Sequence, residues 1–287
     1  MTESNCCRIL PTPMPLITLT SDFGEEDYLA GAAKGILLNT IPQAQLVDIS
    51  HRLLPFSDHK TAYVVSHAVR YYPDNSYHLI MCNLYYHLPE YVLFVCHNKQ
   101  YYLLADNGLI TMILNTSPEE VVKLSLNNIR QKNIIHLIEV FADAIQKHVA
   151  GEKLSEIGQL MDAVKSRNVL QPIRTDEYID GQILHIDAYE NVIVNITKDQ
   201  FEEARKGRNF RIRYSRNDSI VRISETYADV TPGEKLALFN AAGYLEIAVN
   251  RGNAAGLFGL SGYSEQNKSK YSQARISYQT VRVSFED

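Results

Sequence analysis

The sequence lacks an uninterrupted apolar run of about 18 residues, the length that a membrane-spanning helix needs. The stretch from Met1 to Met14 contains Arg8 and two prolines but no continuous apolar core of the kind that a signal peptide has. Neither a Gly-x-Gly-x-x-Gly motif nor a P-loop is present. These absences argue against a membrane span, a secretory leader and a loop that cradles phosphate.

Positive charge is scarce. Lys and Arg number 28 against 33 Asp and Glu, so the formal net charge is −5. Affinity for nucleic acid depends on clustered Lys and Arg that displace counterions, and the chain has no such cluster. We therefore expect no nucleic-acid partner, and a small or cationic ligand suits this charge balance better.

Cysteine is also rare, with four residues in the whole chain. Cys6 and Cys7 are adjacent near the N-terminus, whereas Cys82 and Cys96 lie in strand-like runs. This spacing matches no zinc motif and is typical of reduced thiols in the cytosol. We predict a cytoplasmic protein with no metal site and no cofactor.

The length and the patterning predict two domains. A chain of 287 residues is long for one core. From Leu16 to about Ala150, short apolar runs alternate with amphipathic ones, which indicates an N-terminal α/β domain with a largely parallel sheet. The predicted strands are Leu16–Thr20, Gln45–Ile49, Tyr77–Cys82 and the hairpin Tyr91–Cys96 with Tyr101–Ala105; the predicted helices are Asp27–Asn39, Ser57–Tyr72 and Ile138–Val149.

The second half of the chain has a different pattern. Residues Lys153 to Thr175 are polar and include Pro172, so we place the boundary there and predict domains at 14–170 and 175–287. Beyond Asp180, β-type alternation predicts a C-terminal antiparallel β-barrel with one short helix. The helix is Lys198–Lys206, and the strands are Gln182–Ile186, Val192–Ile196, Phe210–Tyr214, Ser219–Ile223, Lys235–Asn240, Tyr244–Val249 and Ser277–Phe285.

An acidic loop follows the first predicted strand. Its residues run from Thr20 to Asp27 and precede a predicted helix. Carboxylates at the carboxyl end of a parallel strand lie where α/β folds bind ligands, and an acid such as Asp22 accepts paired hydrogen bonds from a ribose diol. The spacing alone leaves an ordinary alternative open, in which Asp27 caps the helix and the other acids are solvated.

Several motifs in one order carry a resemblance to a known family. The chain is similar to the SAM hydroxide adenosyltransferases and their fluorinase relatives over about Ile17 to Leu260. The matching residues are Ile17 to Gly24, Asp27, Gly31, Lys34-Gly35, Pro42, Val47 to His51, Pro55-Phe56, Tyr72-Pro73, Asp106 to Leu109, His136, Phe141-Ala142, His185 to Asp187, Glu190-Asn191, Asn195-Ile196, Thr226 to Val230, Pro232 to Glu234, Gly243 to Asn250 and Ala254-Ala255.

The resemblance implies a ligand and an assembly. Members of this family bind S-adenosylmethionine (SAM), and the hydrolases among them convert it to adenosine and methionine. The family architecture is a homotrimer in which each ligand lies between the N-terminal domain of one subunit and the C-terminal domain of its neighbour. Composition alone specifies no three-fold state.

The resemblance also implies binding roles for individual residues. Asp22 matches the acid that holds the two ribose hydroxyls, and Asp27 lies in the same matched string. Asp187 matches an acid near the amino group of the methionine part, although it also fits a turn. The remaining candidates surround the base or the substrate: Asn191 at the adenine edge, the aromatic residues Phe56 and Tyr227, and Val249 and Arg251 through their backbone groups.

Three positions bear on catalysis. In the hydrolases, an Asp after the third strand, an Arg seven residues later and a distant His hold the attacking water. Here Asn83 stands at the Asp position and Glu90 at the Arg position, and only His136 matches. The exchange makes this part of the site more negative by one charge, worth about 4 kcal/mol at about 4 Å and an effective dielectric near 20. Halide chemistry therefore becomes improbable.

Two functions remain open from the sequence. In the first, the chain hydrolyses SAM through a rewired site formed by Glu90 or His87 with His136. In the second, it is a catalytically inactive SAM- or adenosine-binding homologue. A third option, an adaptor unconnected to SAM, requires the ordered matches to be accidental. The Ala241-Ala242 pair, at the position that meets the methionine carboxylate in the family, adds a further departure.

Overall fold

The computed structural model describes residues 14–84, 89–126, 133–213, 218–259 and 280–286. Contacts divide the chain into two compact units, residues 1–168 and 169–287. The candidate His87 and the pair Cys6 and Cys7 lie outside the described residues. Within the described ranges, none of the helices is both long and apolar enough to cross a membrane.

The N-terminal unit is an α/β structure built on one seven-stranded sheet. Its strands are β1 (Leu16–Ser21), β2 (Gln45–Ser50), β3 (Tyr77–Met81), β4 (Tyr91–His97), β5 (Gln100–Leu104), β6 (Glu120–Ser125) and β7 (Gln159–Leu160). Its helices are α1 (Leu29–Thr40), α2 (Asp58–Val69), α3 (Leu109–Leu114), α4 (Ile134–Val149) and α5 (Leu154–Ile157). The strand order is β2-β1-β3-β5-β4-β6-β7.

The sheet is mixed. The ladders β2-β1, β1-β3 and β3-β5 are parallel, whereas β5-β4, β4-β6 and β6-β7 are antiparallel. The predicted α/β class is confirmed, and the parallel half is the half that carries β1 and β3. The switch occurs at the β4–β5 hairpin, where Asn98 and Lys99 both have positive φ, as a two-residue turn with the twist of the strands requires.

The core of this unit lies between the sheet and its helices. All five residues of β3 are buried, and so are Ile17 and Leu19 of β1. Helix α4 contributes Phe141 and Ile145 to the same cluster. Because β1 and β3 are buried along their length, their carboxyl ends are rigid platforms for the residues that follow them.

The structure moves the starts of predicted helices and adds short elements that were not predicted. Helix α1 begins at Leu29 rather than at Asp27, with Tyr28 at the N-cap position. Helix α4 begins at Ile134, four residues earlier than the predicted Ile138, and the side chain of Asn133 caps it. Sequence patterning also missed the short elements α3, β6, α5 and β7, which have two to six residues each.

The C-terminal unit is a nearly closed antiparallel barrel, as predicted. Its strands are β8 (Ile173–Arg174), β9 (Tyr178–Ile186), β10 (Val192–Thr197), β11 (Asn209–Arg213), β12 (Ser219–Ile220), β13 (Lys235–Phe239), β14 (Tyr244–Val249) and β15 (Thr280–Glu286); its helices are α6 (Lys198–Arg205) and α7 (Ala254–Leu257). The order is β12-β11-β15-β9-β10-β14-β13, with β8 paired to β9.

The barrel closes near Ser224, whose N–H donates to the carbonyl of Ala237 in β13 at 2.7 Å. The predicted strand Ser219–Ile223 is shorter than expected, since β12 ends at Ile220. Alternating residues point inward, and Phe201 of α6 packs against Phe210 and Phe285 in the interior. The turn between β9 and β10 and the turn after β14 carry exposed residues, among them Tyr189 and Arg251.

Candidate functional site

The acidic loop after β1 is held from both ends by His51. The Ser21 hydroxyl is 2.7 Å from Nδ1 of His51, and the N–H of Gly24 donates to the His51 carbonyl at 2.8 Å. On its other side, His51 Nε2 is 3.0 Å from a carboxylate oxygen of Asp48. The side chain of Asp22 therefore leaves a fixed loop, at the carboxyl end of a buried strand.

Asp22 is partly buried, and its carboxylate has a backbone partner. The N–H of Asn83 donates to Asp22 Oδ2 at 2.9 Å. Burial raises the pKa of Asp22, and the hydrogen bond from Asn83 opposes that rise. A carboxylate held in this way keeps acceptor capacity for a diol, since each oxygen has two lone pairs.

Asn83 connects three segments of the N-terminal unit. Its Nδ2 donates to Asp58 Oδ1 at 2.6 Å, and its Oδ1 accepts from the N–H of Phe56 at 2.7 Å. Both Asn83 and Phe56 have left-handed backbone, with φ of 56° and 63°. Asparagine tolerates this region, but for a bulky aromatic it is unusual, and such strain is concentrated at functional sites.

The same residues line a cavity of ≈ 1080 Å³, which we call the N-terminal cavity. Its wall consists of Phe56, Asp58, Asn83, Leu84, Pro89, Glu90, Tyr91, Ala105, Asp106, Asn107, Lys165, Ser166 and Arg167. Three sequence candidates, Phe56, Asn83 and Glu90, therefore share one wall. Asp22 joins them through its hydrogen bond to Asn83.

His136 lies elsewhere in the described part of the N-terminal unit. It occupies the first turn of α4, where its N–H and its Nδ1 are 3.1 and 3.0 Å from Oδ1 of Asn133. Its Nδ1 is 4.0 Å from Glu139, and among the described residues it is not part of the cavity wall. The predicted association of His136 with Glu90 thus has no direct contact in this structure.

The N-terminal cavity also contains two cations that were not predicted from the sequence, Lys165 and Arg167. The Arg167 guanidinium forms an ion pair with Asp58, and its backbone N–H donates to the Thr111 hydroxyl at 2.9 Å. The N–H of Lys165 donates to Asp106 at 2.9 Å. The cavity therefore contains cations, although position 90 is a glutamate. No motif signals these residues, because they come from the polar stretch between the two halves of the chain.

The C-terminal unit has a cavity of its own, of ≈ 580 Å³, which we call the C-terminal cavity. It is lined by Tyr189, Asn191, Tyr227, Val249, Asn250, Arg251 and Gly252. Four sequence candidates are thereby brought together: Asn191, Tyr227, Val249 and Arg251. Arg251 has positive φ, 56°, in the turn after β14.

Asp187 closes the turn between β9 and β10. Its Oδ1 accepts the N–H groups of Tyr189 and Asn191, both at 2.9 Å, and its Oδ2 accepts from Asn191 Nδ2 at 3.1 Å. This is the turn geometry that the sequence left open for it. The bonds also fix the Asn191 amide, which points its Nδ2 towards the Tyr227 hydroxyl at 3.4 Å.

Beneath Tyr227 lies Glu246, a buried acid to which sequence analysis assigned no role. Its side chain belongs to β14, the residue is 3% exposed, and it accepts a short hydrogen bond from the Tyr227 hydroxyl. Burial raises the pKa of Glu246, and the hydrogen bond from Tyr227 partly offsets this. The pair orients the tyrosine ring that faces the cavity.

Asp27 and the pair Ala241-Ala242 are not among the described residues that line the two cavities. Asp27 is exposed, and its Oδ1 accepts from the N–H of Tyr28 at 2.6 Å, just ahead of α1. Ala241 and Ala242 form the β13–β14 turn, where the N–H of Ala242 donates to Asn240 Oδ1 at 3.0 Å. Neither alanine brings a side-chain donor for a carboxylate.

Comparison with known proteins places both units in one family. The family model described as the SAM hydroxide adenosyltransferase N-terminal domain matches residues 17–158, and that of the C-terminal domain matches residues 181–265. The chain belongs to the SAM hydroxide adenosyltransferase family. Lys165 and Arg167 fall between the two matched segments of the chain.

The relatives of this chain include named enzymes. It is 29% identical over 198 residues to an (R)-S-adenosyl-L-methionine hydrolase of Methanocaldococcus jannaschii, covering 65% of this chain and 69% of the relative. Identity is 24% over 257 residues to the hydrolase of the same name from Salinispora tropica, with 87% and 95% covered. A fluorinase of Actinopolyspora mzabensis is 21% identical over 278 residues, with 84% and 92% covered.

A solved structure shares the fold of this adenosyltransferase-family chain. It is an uncharacterized conserved protein from Thermotoga maritima, with a TM-score of 0.77, 22% sequence identity and coverage of 93% of this chain and 99% of that one. At this identity the likeness shows the fold alone.

Proposed function

We propose that the protein binds SAM and hydrolyses it to adenosine and methionine. The observation that carries this is the Asp22 carboxylate, held by Asn83 at the carboxyl end of β1 beside the N-terminal cavity. Family membership supports the ligand, and the relatives named as SAM hydrolases support the reaction.

Each unit supplies one part of the ligand contacts. In the N-terminal unit, Asp22 accepts from the ribose hydroxyls, with Asp27 near the loop and Phe56 against the substrate. In the C-terminal unit, Asn191 reads the adenine edge, and Tyr227 packs on the base. The backbone at Val249 and Arg251 completes the adenine contacts, and Asp187 contributes near the methionine amino group while closing its turn.

The reaction is a displacement at the ribose C5′ carbon. The oxygen of water bonds to C5′ as the C5′–S bond breaks, and the electron pair stays on sulfur, so that the sulfonium becomes the neutral thioether of methionine. One water proton is released. A sulfonium is a good leaving group, so alignment is the main task, and alignment supplies roughly 7–11 kcal/mol. We propose that no cofactor is required, and that the attacking water lies in the N-terminal cavity beside Asn83 and Glu90 rather than beside His136.

The assembly we propose is a homotrimer. Large aromatic side chains stand at both cavities, since Phe56 is 70% exposed and Tyr189 is 79% exposed. Exposed aromatics of this size are typical of surfaces that a ligand or a second subunit covers. Ligand sites shared between subunits account for the exposure. The cytoplasmic location stays a prediction, based on the pattern of the cysteines.

A second candidate function is supported by one observation. The Asn83 side-chain amide cannot act as a base, and its Nδ2 already donates a hydrogen bond to Asp58. If no other group activates water, the protein is a SAM- or adenosine-binding homologue without turnover.

One experiment separates the two. Purified protein is incubated with SAM, with and without chloride, and the products are resolved by chromatography. Release of adenosine in both conditions supports hydrolysis. A chlorinated nucleoside that depends on chloride contradicts it, whereas tight SAM binding without any adenosine supports the inactive homologue. The Asp22→Ala variant serves as the control for signal from the substrate site.

A further inference from the structure

The carboxylate and the guanidinium that hydrolases place at positions 83 and 90 have counterparts in this cavity. Asp58 lies at the start of α2 and Arg167 in the stretch before the C-terminal unit. Both line the N-terminal cavity together with Asn83 and Glu90. The charge pair is therefore present, although two other parts of the chain supply it.

Asp58 is in direct contact with residue 83, the position at which the hydrolases have their carboxylate. One carboxylate oxygen accepts from Asn83 Nδ2 at 2.6 Å, and the other pairs with the Arg167 guanidinium. A hydrogen bond from an amide at this distance brings the Asp58 carboxylate into direct contact with the side chain at position 83. Because charged hydrogen bonds are short and directional, the side chains of Asn83, Asp58 and Arg167 form one connected group.

The group formed by Asn83, Asp58 and Arg167 is connected to Asp22, the acid proposed to hold the ribose, by a hydrogen bond from Asn83. The backbone N–H of Asn83 donates to Asp22, while the side chain of Asn83 faces Asp58. A ribose held by Asp22 thus lies next to the residue that Asp58 and Arg167 position. The backbone of Asn83 contacts Asp22, whereas its side chain contacts Asp58. We therefore expect substitutions at Arg167 to leave the Asp22 contact in place.

Arg167 is held where it is by the fold. Its backbone N–H and carbonyl both bond the Thr111 hydroxyl, at 2.9 and 3.0 Å. Gly108 leaves room for its side chain, because a Cβ at that glycine would lie 2.5 Å from Cγ of Arg167. The φ of Gly108 is +89°, a second reason for glycine there. Arg167 therefore has an anchored backbone and a side chain that packs where only a glycine at position 108 leaves space.

We propose, on the basis of the proposed hydrolysis, that Asp58 and Arg167 are the carboxylate and guanidinium of the water-activating site. Asp58 orients the attacking water and takes the proton that it releases, which then passes to solvent. Arg167 keeps Asp58 in place and neutralises its charge beside Glu90. The products and the bonds that form and break are those of the hydrolysis already described.

The test compares the variant Arg167→Gln with Arg282→Gln, which breaks a matched ion pair. Arg282 and Asp180 of the barrel have side-chain exposures of 48% and 13%, close to the 54% and 16% of Arg167 and Asp58. We expect Arg167→Gln to lower kcat for adenosine release by roughly 10- to 100-fold, with the Kd for adenosine within about twofold. Arg282→Gln should leave kcat unchanged, and Arg167→Lys should recover part of the loss.

Asp58→Asn provides the second measurement. It should lower kcat at least as much as Arg167→Gln does. Thermal unfolding and adenosine affinity check that the N-terminal unit of the variant is folded. Suppose that the wild type is active and that Arg167→Gln keeps its kcat or loses adenosine affinity instead. This result overturns only the role of the Asp58–Arg167 pair and leaves the hydrolysis standing. A wild type that releases no adenosine overturns the hydrolysis, and the role of the pair with it.

Discussion

The side-chain amide of Asn83 donates a 2.6 Å hydrogen bond to Asp58, so position 83 requires a donor in this protein. The hydrolase pattern has a carboxylate there, and sequence comparison alone suggests that restoring it would restore the site. The structure argues the opposite. Two carboxylates in this contact repel each other, and Arg167 already pairs with Asp58.

We expect Asn83→Asp to destabilise the N-terminal unit by about 1–3 kcal/mol, because it removes a donor and adds a like charge. Urea denaturation measures the loss. In an Asp58→Asn background the same change should cost much less, because the amide and the carboxylate have then exchanged places. Equal losses in both backgrounds would show that the two side chains are not coupled.

The ribose clamp is tested by Asp22→Ala. Hydrogen bonds to a charged group contribute roughly 1.5–3 kcal/mol, so the Kd for adenosine should rise by roughly 10- to 150-fold. Isothermal titration calorimetry measures this. Asp74→Ala is the control, since Asp74 is an exposed acid paired with Lys99. Unchanged affinity in the Asp22 variant would mean that the ribose site lies elsewhere.

Burial of Asp22 predicts a pH dependence of binding. Its pKa lies above that of an ordinary carboxyl group, and only the ionised form accepts from both ribose hydroxyls. Adenosine affinity should therefore weaken as pH falls, and should begin to do so at a higher pH than an exposed aspartate would give. The Asp22→Asn variant should bind weakly with little dependence on pH. A wild-type profile as flat as that of the variant would contradict the assignment.

Tyr227→Phe tests the buried acid of the C-terminal unit. The change removes the hydroxyl that donates to Glu246, and we expect a loss of about 1–3 kcal/mol in the free energy of unfolding at neutral pH. Tyr189→Phe, which removes the hydroxyl of a highly exposed tyrosine, is the matched control and should change stability little.

The sign of the pH effect follows from the raised pKa of Glu246. Burial disfavours its ionised form, so the folded state is penalised above the folded pKa and relieved below the unfolded value of about 4.3. Losing the Tyr227 donor raises the pKa further. The destabilisation in Tyr227→Phe should therefore shrink as pH falls towards 4, as urea denaturation at several pH values would show. A loss that is constant with pH would point to packing alone.

The homotrimer is tested by light scattering at micromolar concentration. The expected mass is three times that of the chain, with and without adenosine. A monomer under both conditions would remove the shared-site arrangement.

The order of the elements was largely determined by the sequence. Strands β1 and β3, helix α2 and the barrel strands follow from local periodicity, which depends only on neighbouring residues. Likewise, Asn191, Tyr227, Val249 and Arg251, which the family resemblance grouped around the base, line one cavity. The loop carrying Asp22 at the end of β1 belongs with these.

Only the tertiary structure brought Arg167 to Asp58, 109 positions apart, and Tyr227 to Glu246. It also showed that His136 is not among the described residues that line the cavity with Glu90, and that the ladders β4-β6 and β6-β7, beyond the predicted hairpin, are antiparallel. These relationships depend on how distant segments pack, which no local pattern encodes. A charged residue in a polar stretch has the same sequence signature whether it faces solvent or a cavity, and only packing distinguishes the two.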